Sequence, residues 1–205
     1  EKPSTALYEQ ACHDGDMAGC FTLGTFYDQG NGVAVDPQRA LTLYEKACAG
    51  RHLAACVNLG VRYDSGVGVQ RDVVRAAALY TQACDGHHAV GCFNLGLLYA
   101  QGRGVTQDAA HAATLFDQAC NGGTMAACFS LGVLYQDGTG VAKNFVRAAD
   151  LFRKGCEGLH MPSCYNLGVL YDLGLGVESE VHVAARYYEQ ACIGGTPLGC
   201  VNLGM

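Results

Sequence analysis

The most reactive side chains in this sequence are twelve cysteines, and their spacing is regular. One set recurs every 36 residues, at Cys12, Cys48, Cys84, Cys120, Cys156 and Cys192. The second set follows eight residues after the first, at Cys20, Cys56, Cys92, Cys128, Cys164 and Cys200. Thiols can form disulfides, bind a metal ion or act as nucleophiles, and each role needs its own geometry.

The spacing favours disulfides, provided that the chain reverses between the two cysteines of a pair. In one continuous helix the two cysteines would lie about 12 Å apart along the axis, whereas a disulfide needs Cα atoms within about 7 Å. A glycine follows two residues after the first cysteine in five of the pairs, at Gly50, Gly86, Gly122, Gly158 and Gly194. We expect this glycine to end the helix and let the chain turn back. Six local pairs are the simplest solution, although the sequence alone also permits other connectivities.

A zinc site is the main alternative use of these thiols. Cys84, His87, His88 and Cys92 could form a set of four ligands, but the other repeats hold different residues in this loop. The short Cys-x2-Cys and His-x3-His spacings that are typical of zinc sites do not occur. We therefore predict six disulfides, no metal and no other cofactor. Disulfides in this number indicate an oxidising compartment, either the periplasm or the outside of the cell.

Residue patterns for catalysis are weak. A serine β-lactamase needs a Ser-x-x-Lys motif, and no serine of this chain (Ser4, Ser65, Ser130, Ser163 and Ser179) has a lysine three residues later. The seven histidines show no His-x-His pattern. A recurring Gly-x-Gly-Val lacks the Gly-Lys-Ser/Thr ending of a phosphate loop. No catalytic residue is predicted, and a dedicated enzyme is disfavoured.

The elements that position the cysteines repeat with the same period. Each repeat predicts two helices, and the first, Leu53 to Ser65 in one repeat, places Cys56, Leu59, Gly60 and Tyr63 on one face. The second helix, Asp72 to Cys84, has the inner stripe Ala76, Leu79, Tyr80 and Ala83. We expect the small residues Gly60 and Ala76 to let the paired helix backbones approach closely.

A single hairpin of this kind cannot bury its apolar stripe, whereas stacked neighbours can. The sequence therefore predicts one all-α solenoid over residues 1–205, with about five full repeats and partial units at both ends. Lys and Arg total only 13 and the net charge is -6, which disfavours nucleic acid as a partner. No apolar stretch approaches the roughly 20 residues of a membrane helix, so membrane insertion is not expected. We expect a monomer.

The repeated unit resembles a known family. Its pattern is Cys-x-Asn-Leu-Gly-x-x-Tyr-x-x-Gly-x-Gly-Val, then Asp-x-x-x-Ala and Leu-Tyr-x-x-Ala-Cys, and this resembles the Sel-one-like repeat, a relative of the tetratricopeptide repeat. The Cys-x7-Cys variety resembles the Helicobacter cysteine-rich protein family. The resemblance implies a right-handed α/α superhelix, secreted or periplasmic, that binds peptide or protein partners. It also implies an alternative, a penicillin-binding protein with weak β-lactam hydrolase activity.

By analogy with tetratricopeptide arrays, the first helices would line a concave binding face. An asparagine precedes Leu-Gly in several repeats, and it could bind the backbone of a peptide. Thr22 and Ser130 replace the asparagine in two repeats. An apolar or aromatic residue comes directly before this position in each repeat, and it could grip apolar side chains of the ligand. The candidate binding residues are Asn58, Asn94, Asn166 and Asn202, with Phe21, Val57, Phe93, Phe129 and Tyr165. In the alternative interpretation the asparagines bond to nearby turn backbone and the apolar residues form core between repeats.

Overall fold

The computed structural model describes residues 5–204, which form twelve α-helices and no strand. The helices are α1 (Thr5–His13), α2 (Met17–Gln29), α3 (Pro37–Ala49), α4 (Leu53–Ser65), α5 (Val73–Asp85), α6 (Ala89–Gln101), α7 (Ala109–Asn121), α8 (Met125–Asp137), α9 (Phe145–Glu157), α10 (Met161–Leu173), α11 (Val181–Ile193) and α12 (Pro197–Asn202). This order confirms the predicted all-α fold of disulfide-linked helical hairpins. None of the helices described is long and apolar enough to span a membrane.

The chain divides into two compact units, residues 1–107 and residues 108–205. The first unit contains α1–α6 and the second contains α7–α12. In both units the even-numbered helices are the first helices of the repeats, and the odd-numbered helices from α3 onward are the second helices. That the two units form one continuous solenoid stays a prediction.

The second helices begin at side-chain caps that the sequence signals. The carboxylate of Asp72 accepts a hydrogen bond from the backbone N–H of Arg75 at 2.9 Å, and Asp36 caps Arg39 in the same way before Pro37. These bonds satisfy one of the N–H groups that a helix start leaves without an intrahelical partner. Asp36 and Pro37 thus supply the cap and the first residue of α3.

The two turns of each repeat use glycine differently. The first helix α4 ends at Gly66, whose φ of 76° closes the helix in the left-handed conformation. After α5, by contrast, Gly86 has a φ of -81°, and the left-handed residue is the following His87 at 63°. Gly86 thus ends α5 as predicted, but the positive φ of the turn falls on His87 and not on the glycine. Gly86 also leaves room for Leu53, the first residue of α4 in the same repeat, which would collide with a Cβ there.

The predicted inner faces form the core. Leu59, Tyr63, Ala76, Tyr80 and Ala83 are all at most 5% exposed, while Leu79 is half-buried. Gly60 has a different role from the one expected. A Cβ on Gly60 would lie 2.5 Å from Cε1 of Tyr80, so the glycine makes room for an aromatic ring of the second helix rather than for its backbone. The same arrangement recurs in the second unit, where Gly132 receives the ring of Phe152.

Candidate functional site

The twelve cysteines form six disulfides, at the pairs named from the sequence. In each, the two Cα atoms lie 4.4–4.7 Å apart, and no free cysteine occurs among residues 5–204. Each bond joins the end of an odd-numbered helix to the start of the next even-numbered helix. A zinc site at Cys84, His87, His88 and Cys92 is not found, because both thiols are in the disulfide.

Three histidines, His52, His88 and His160, are N-cap residues of first helices. His52 Nδ1 accepts a hydrogen bond from the backbone N–H of Ala55 at 3.3 Å, and His160 Nδ1 is hydrogen bonded to Ser163 Oγ at 2.9 Å. Nδ1 of His88 is buried without a hydrogen-bond partner. Burial lowers the pKa of His88, with a smaller contribution from His52, and burial also lowers the pKa of His160. The capping role could have been predicted from the sequence, because Thr124 and Asp16, which are common N-cap residue types, stand at the same position of other repeats.

The serines lie where a nucleophile would not be useful. Ser163 is paired with His160, but it is fully buried, so its hydroxyl cannot reach a substrate. Among the other serines within residues 5–204, the hydroxyls donate to backbone carbonyl oxygens of their own surroundings, at Ser65, Ser130 and Ser179. Ser4 lies outside the described residues. These contacts are local bonds from a serine side chain to the backbone, and they give no support to acyl transfer.

The apolar candidates beside the asparagines contribute to packing between helices. Phe21 is 6.0 Å from the Tyr44 ring and stacks on His52 at 4.5 Å, measured between ring centroids. In the second unit, Phe129 lies 5.8 Å from Phe152, and Tyr165 lies 5.8 Å from Tyr188.

The remaining two apolar candidates are Val57, which is buried at 5% exposure, and Phe93, which is half-buried. These positions correspond to the interpretation as core between repeats. Only the exposed edges of the half-buried rings are accessible to a ligand.

The asparagines follow a tyrosine of the preceding second helix. Asn58 donates a hydrogen bond to the hydroxyl of Tyr44, and that hydroxyl donates to Asp28 Oδ2 at 3.2 Å. In the second unit, Asn202 bonds to Tyr188 in the same way, and Tyr188 donates to Asp172 at 3.4 Å. Burial raises the pKa of both tyrosines above the ordinary value, so both hydroxyls stay protonated.

The other two asparagines differ in their surroundings. Asn94 lines a groove together with Tyr80. Asn166 is half-buried, and the residue at the register position of Tyr44 in its repeat is Phe152, which has no hydroxyl to bind.

Two adjoining grooves lie along the first helices of the first unit. One, of about 300 Å³, is lined by Asp28, Asn58 and Arg62, and the other, of about 330 Å³, by Asp64, Asn94 and Arg103. Val61 and Ser65 line both, so the two grooves form one surface. We call this surface, from Asp28 to Arg103, the first-helix groove.

The charges in the first-helix groove are internally balanced. Asp28 forms an ion pair with Arg62, and Asp64 forms one with Arg103 at 2.7 Å. What remains available to a ligand is therefore a mixture of amide groups and apolar surface, the latter including Val61, which is 45% exposed. Such a lining suits an uncharged polypeptide backbone better than an anion or a cation.

Comparison with known proteins identifies the repeat. Family models of the Sel1 repeat match residues 18–52, 53–88, 89–124, 126–158 and 162–195. A protective antigen of uropathogenic Escherichia coli strains, which displays an SLR fold, is similar with a TM-score of 0.94 and 30% identity. The match covers 98% of this chain and 43% of the antigen, so this chain spans less than half the length of that relative.

Two further solved structures are similar. A Sel1 repeat protein from Oxalobacter formigenes has a TM-score of 0.87 at 26% identity, over 98% of this chain and 89% of its own. Helicobacter pylori cysteine rich protein B has a TM-score of 0.50 at 30% identity, over 60% of this chain and 88% of its own. No curated protein matches the sequence closely enough to count as a relative.

Proposed function

Because this chain belongs to the Sel1 repeat family, we propose that it is a scaffold that binds an extended peptide, or an extended segment of a protein, in the first-helix groove. Sel1 repeats typically mediate protein interactions. The six disulfides support a secreted or periplasmic location, since such bonds persist in oxidising compartments. The observation that carries the proposal is the pair of adjoining grooves with an asparagine in each.

The asparagines keep hydrogen-bonding capacity for a ligand. The amide of Asn58 has two N–H donors and a carbonyl acceptor, and Tyr44 uses one donor. One donor and the carbonyl remain, which match the C=O and N–H of a peptide backbone. Packed helices lie about 8–10 Å apart, a distance that an extended chain covers in about three residues. Asn58 and Asn94 would therefore bind backbone groups about three residues apart.

Selectivity among peptides would come from the apolar part of the groove. Val61 lies between the two asparagines in sequence and lines both halves, and Leu97 lines the second half. A peptide with a small or medium apolar side chain between the two asparagine contacts fits this lining. Charged side chains gain little there, because the carboxylates already have arginine partners.

The proposal is tested by selecting ligands from a random peptide library displayed on phage, with the oxidised protein as bait. Affinities of selected peptides are then measured by fluorescence anisotropy for the wild type and for the Asn58→Ala/Asn94→Ala variant. Loss of two hydrogen bonds predicts a decrease of about tenfold or more. Asn31→Ala, at an exposed loop residue outside the groove, is the matched control and should leave affinity unchanged. Equal affinity for the double variant would contradict the proposal.

The same preparation tests the β-lactam alternative implied by the family resemblance. Wild-type protein is incubated with a chromogenic cephalosporin, and turnover is compared with buffer and with the fully reduced protein. Turnover that depends on the folded protein would favour the alternative and would require a nucleophile other than the buried Ser163.

A further inference from the structure

Another groove lies in the second unit, and its walls are mainly apolar. It lies along α11, has a volume of about 490 Å³, and has apolar walls formed by Leu159, Met161, Val183, Tyr187 and Ile193. We call it the α11 groove. Two of its residues are among the most exposed apolar side chains of the chain, since Leu159 is 75% exposed and Ile193 is 81% exposed. Exposed apolar side chains that line one groove are a common feature of interaction surfaces.

The other repeats show that this apolar character is specific to the fifth repeat. Positions one or more periods earlier hold polar, charged or small residues where the α11 groove has Leu159, Val183 and Ile193; glycine or alanine stands at Gly15, Gly123 and Ala49. The polar and charged residues include Arg51 and His87 for the first, Arg75 and Arg147 for the second, and Asp85 and Glu157 for the third. A common repeat architecture therefore does not require an apolar surface here.

The exposure of the α11 groove is also independent of whether a further repeat follows. Asp85, Asn121 and Glu157 stand at the register position of Ile193, a further repeat follows each of them, and all three are exposed. Leu159 and Met161 form the other wall of the groove. Leu159 lies in the turn before α10, and Met161 is the first residue of α10. The groove thus faces away from the side on which a later repeat would stack.

Leu159 adds a conformational argument. Its φ is 63°; Arg51 and His87 have the same conformation at this position with φ of 66° and 63°, and glycine holds it at Gly15, Gly123 and Gly195. A bulky side chain in the left-handed region costs about 1 kcal/mol or more. Because the side chain is mostly exposed, packing within the chain does not offset this cost. Arg51 and His87 bear the same cost with exposed polar side chains, whereas Leu159 exposes an apolar side chain that burial against a partner would stabilise.

The charges beside the groove indicate which partner that is. Arg186 and Glu189 line the groove on the exposed face of α11, and neither has an ion-pair partner within residues 5–204. A surface that presents one arginine and one glutamate three residues apart on a helix is self-complementary. If two such helices pack antiparallel about a twofold axis, each arginine meets the glutamate of the other copy.

From this arrangement we propose that a second copy of this chain occupies the α11 groove. The two α11 helices cross antiparallel with the twofold axis between Tyr187 and Tyr188, so that Arg186 of each copy pairs with Glu189 of the other. Ile193 of each copy then lies at the Val183 end of the opposite groove, where its side chain becomes buried. The proposal goes beyond the binding function of the first-helix groove, and it replaces the expected monomer with a dimer.

Charge reversal tests the arrangement directly. Sedimentation velocity over a concentration series measures self-association of the oxidised wild type, of Arg186→Glu and of Glu189→Arg. Each single variant places like charges together twice, so its dimer dissociation constant should rise about a hundredfold. An equimolar mixture of the two variants restores both ion pairs and should form a dimer that contains one copy of each. Arg147→Glu, an exposed reversal on α9, is the matched control and should dimerise like the wild type.

A third variant separates folding from association. Leu159→Gly relieves the positive φ, so the fold should keep its stability, while loss of the apolar side chain at two symmetric places should weaken the dimer about tenfold. A wild type that stays monomeric up to submillimolar concentration would overturn the proposal, as would a mixture of the charge variants that fails to associate when the wild type does. Neither result would bear on peptide binding in the first-helix groove, because the two surfaces share no residue.

Discussion

Removal of one disulfide from the first unit gives a quantitative test of what stabilises this fold. The perturbation is the double variant Cys84→Ala/Cys92→Ala. The two cysteines are eight residues apart in sequence, with Cα atoms 4.5 Å apart in the folded chain. Loop-closure entropy for so short a loop predicts a loss of about 2.5 kcal/mol in the free energy of unfolding.

Packing adds little to this figure at the chosen site. Cys84 is 7% exposed and Cys92 is 3% exposed, and alanine keeps the apolar character of both positions. The variant should therefore still fold. By the same relation, six bonds contribute about 15 kcal/mol together, which equals or exceeds the whole net stability of a typical domain. Full reduction of the wild type should consequently unfold the helices.

The assay is urea unfolding followed by far-ultraviolet circular dichroism, without reductant and near neutral pH. The companion variant Cys48→Ala/Cys56→Ala opens a loop of the same length, so the entropic argument predicts the same loss within about 0.5 kcal/mol. A loss below about 1 kcal/mol in both variants would refute the reasoning. Retention of full helicity by the reduced wild type would refute it as well.

Three further predictions concern packing, pH and capping. Gly60→Ala should lower the urea midpoint, because crowding against Tyr80 costs about 1–3 kcal/mol while the helix gains only about 1 kcal/mol from alanine, and a raised midpoint would contradict the packing described. The pKa values of His88 and His160 are lowered in the folded chain. The unfolded state therefore binds more protons than the folded state once the pH falls below about 6.5. The contribution of these two histidines to the free energy of unfolding should be constant above that pH and decrease below it. His88→Thr, which copies the cap residue of α8, should reduce this decrease when urea unfolding is compared at about pH 7.5 and about pH 5. Asp72→Ala removes the cap of α5 and should cost about 1 kcal/mol in the same assay, while Asp85→Ala, exposed at the other end of α5, should cost much less.

The 36-residue period made a stack of helical hairpins predictable from the sequence. The superhelical form was expected from the resemblance to Sel-one-like repeats, and the family match confirms that resemblance. The helix from Leu53 to Ser65 has the predicted bounds, and Asp72 precedes the following helix as its cap. These features depend on local signals, namely a capping side chain at one end and a left-handed glycine at the other. Local signals are readable in one chain because each is encoded within a few residues.

The candidate site was less predictable, because it depends on which side chains meet between helices. Periodicity shows that Val57 precedes Asn58 and that Phe21 holds the same position of its own repeat, but not that both side chains are covered by packing. The role of Gly60 likewise depends on the Tyr80 ring of another helix. One signal was available, since Tyr44, Tyr80 and Tyr188 each precede by fourteen residues an asparagine, at Asn58, Asn94 and Asn202.

The connectivity of the disulfides has a consequence for how the protein is made. Every cysteine is bonded to its nearest cysteine along the chain, and no bond encloses another. A chain that enters an oxidising compartment from its N-terminus therefore presents the two members of each pair in immediate succession. An oxidant that joins thiols in order of arrival produces the native set without reshuffling by an isomerase. Duplication or deletion of one 36-residue segment keeps this nearest-neighbour pairing, because it adds or removes one cysteine of the first set and one of the second set.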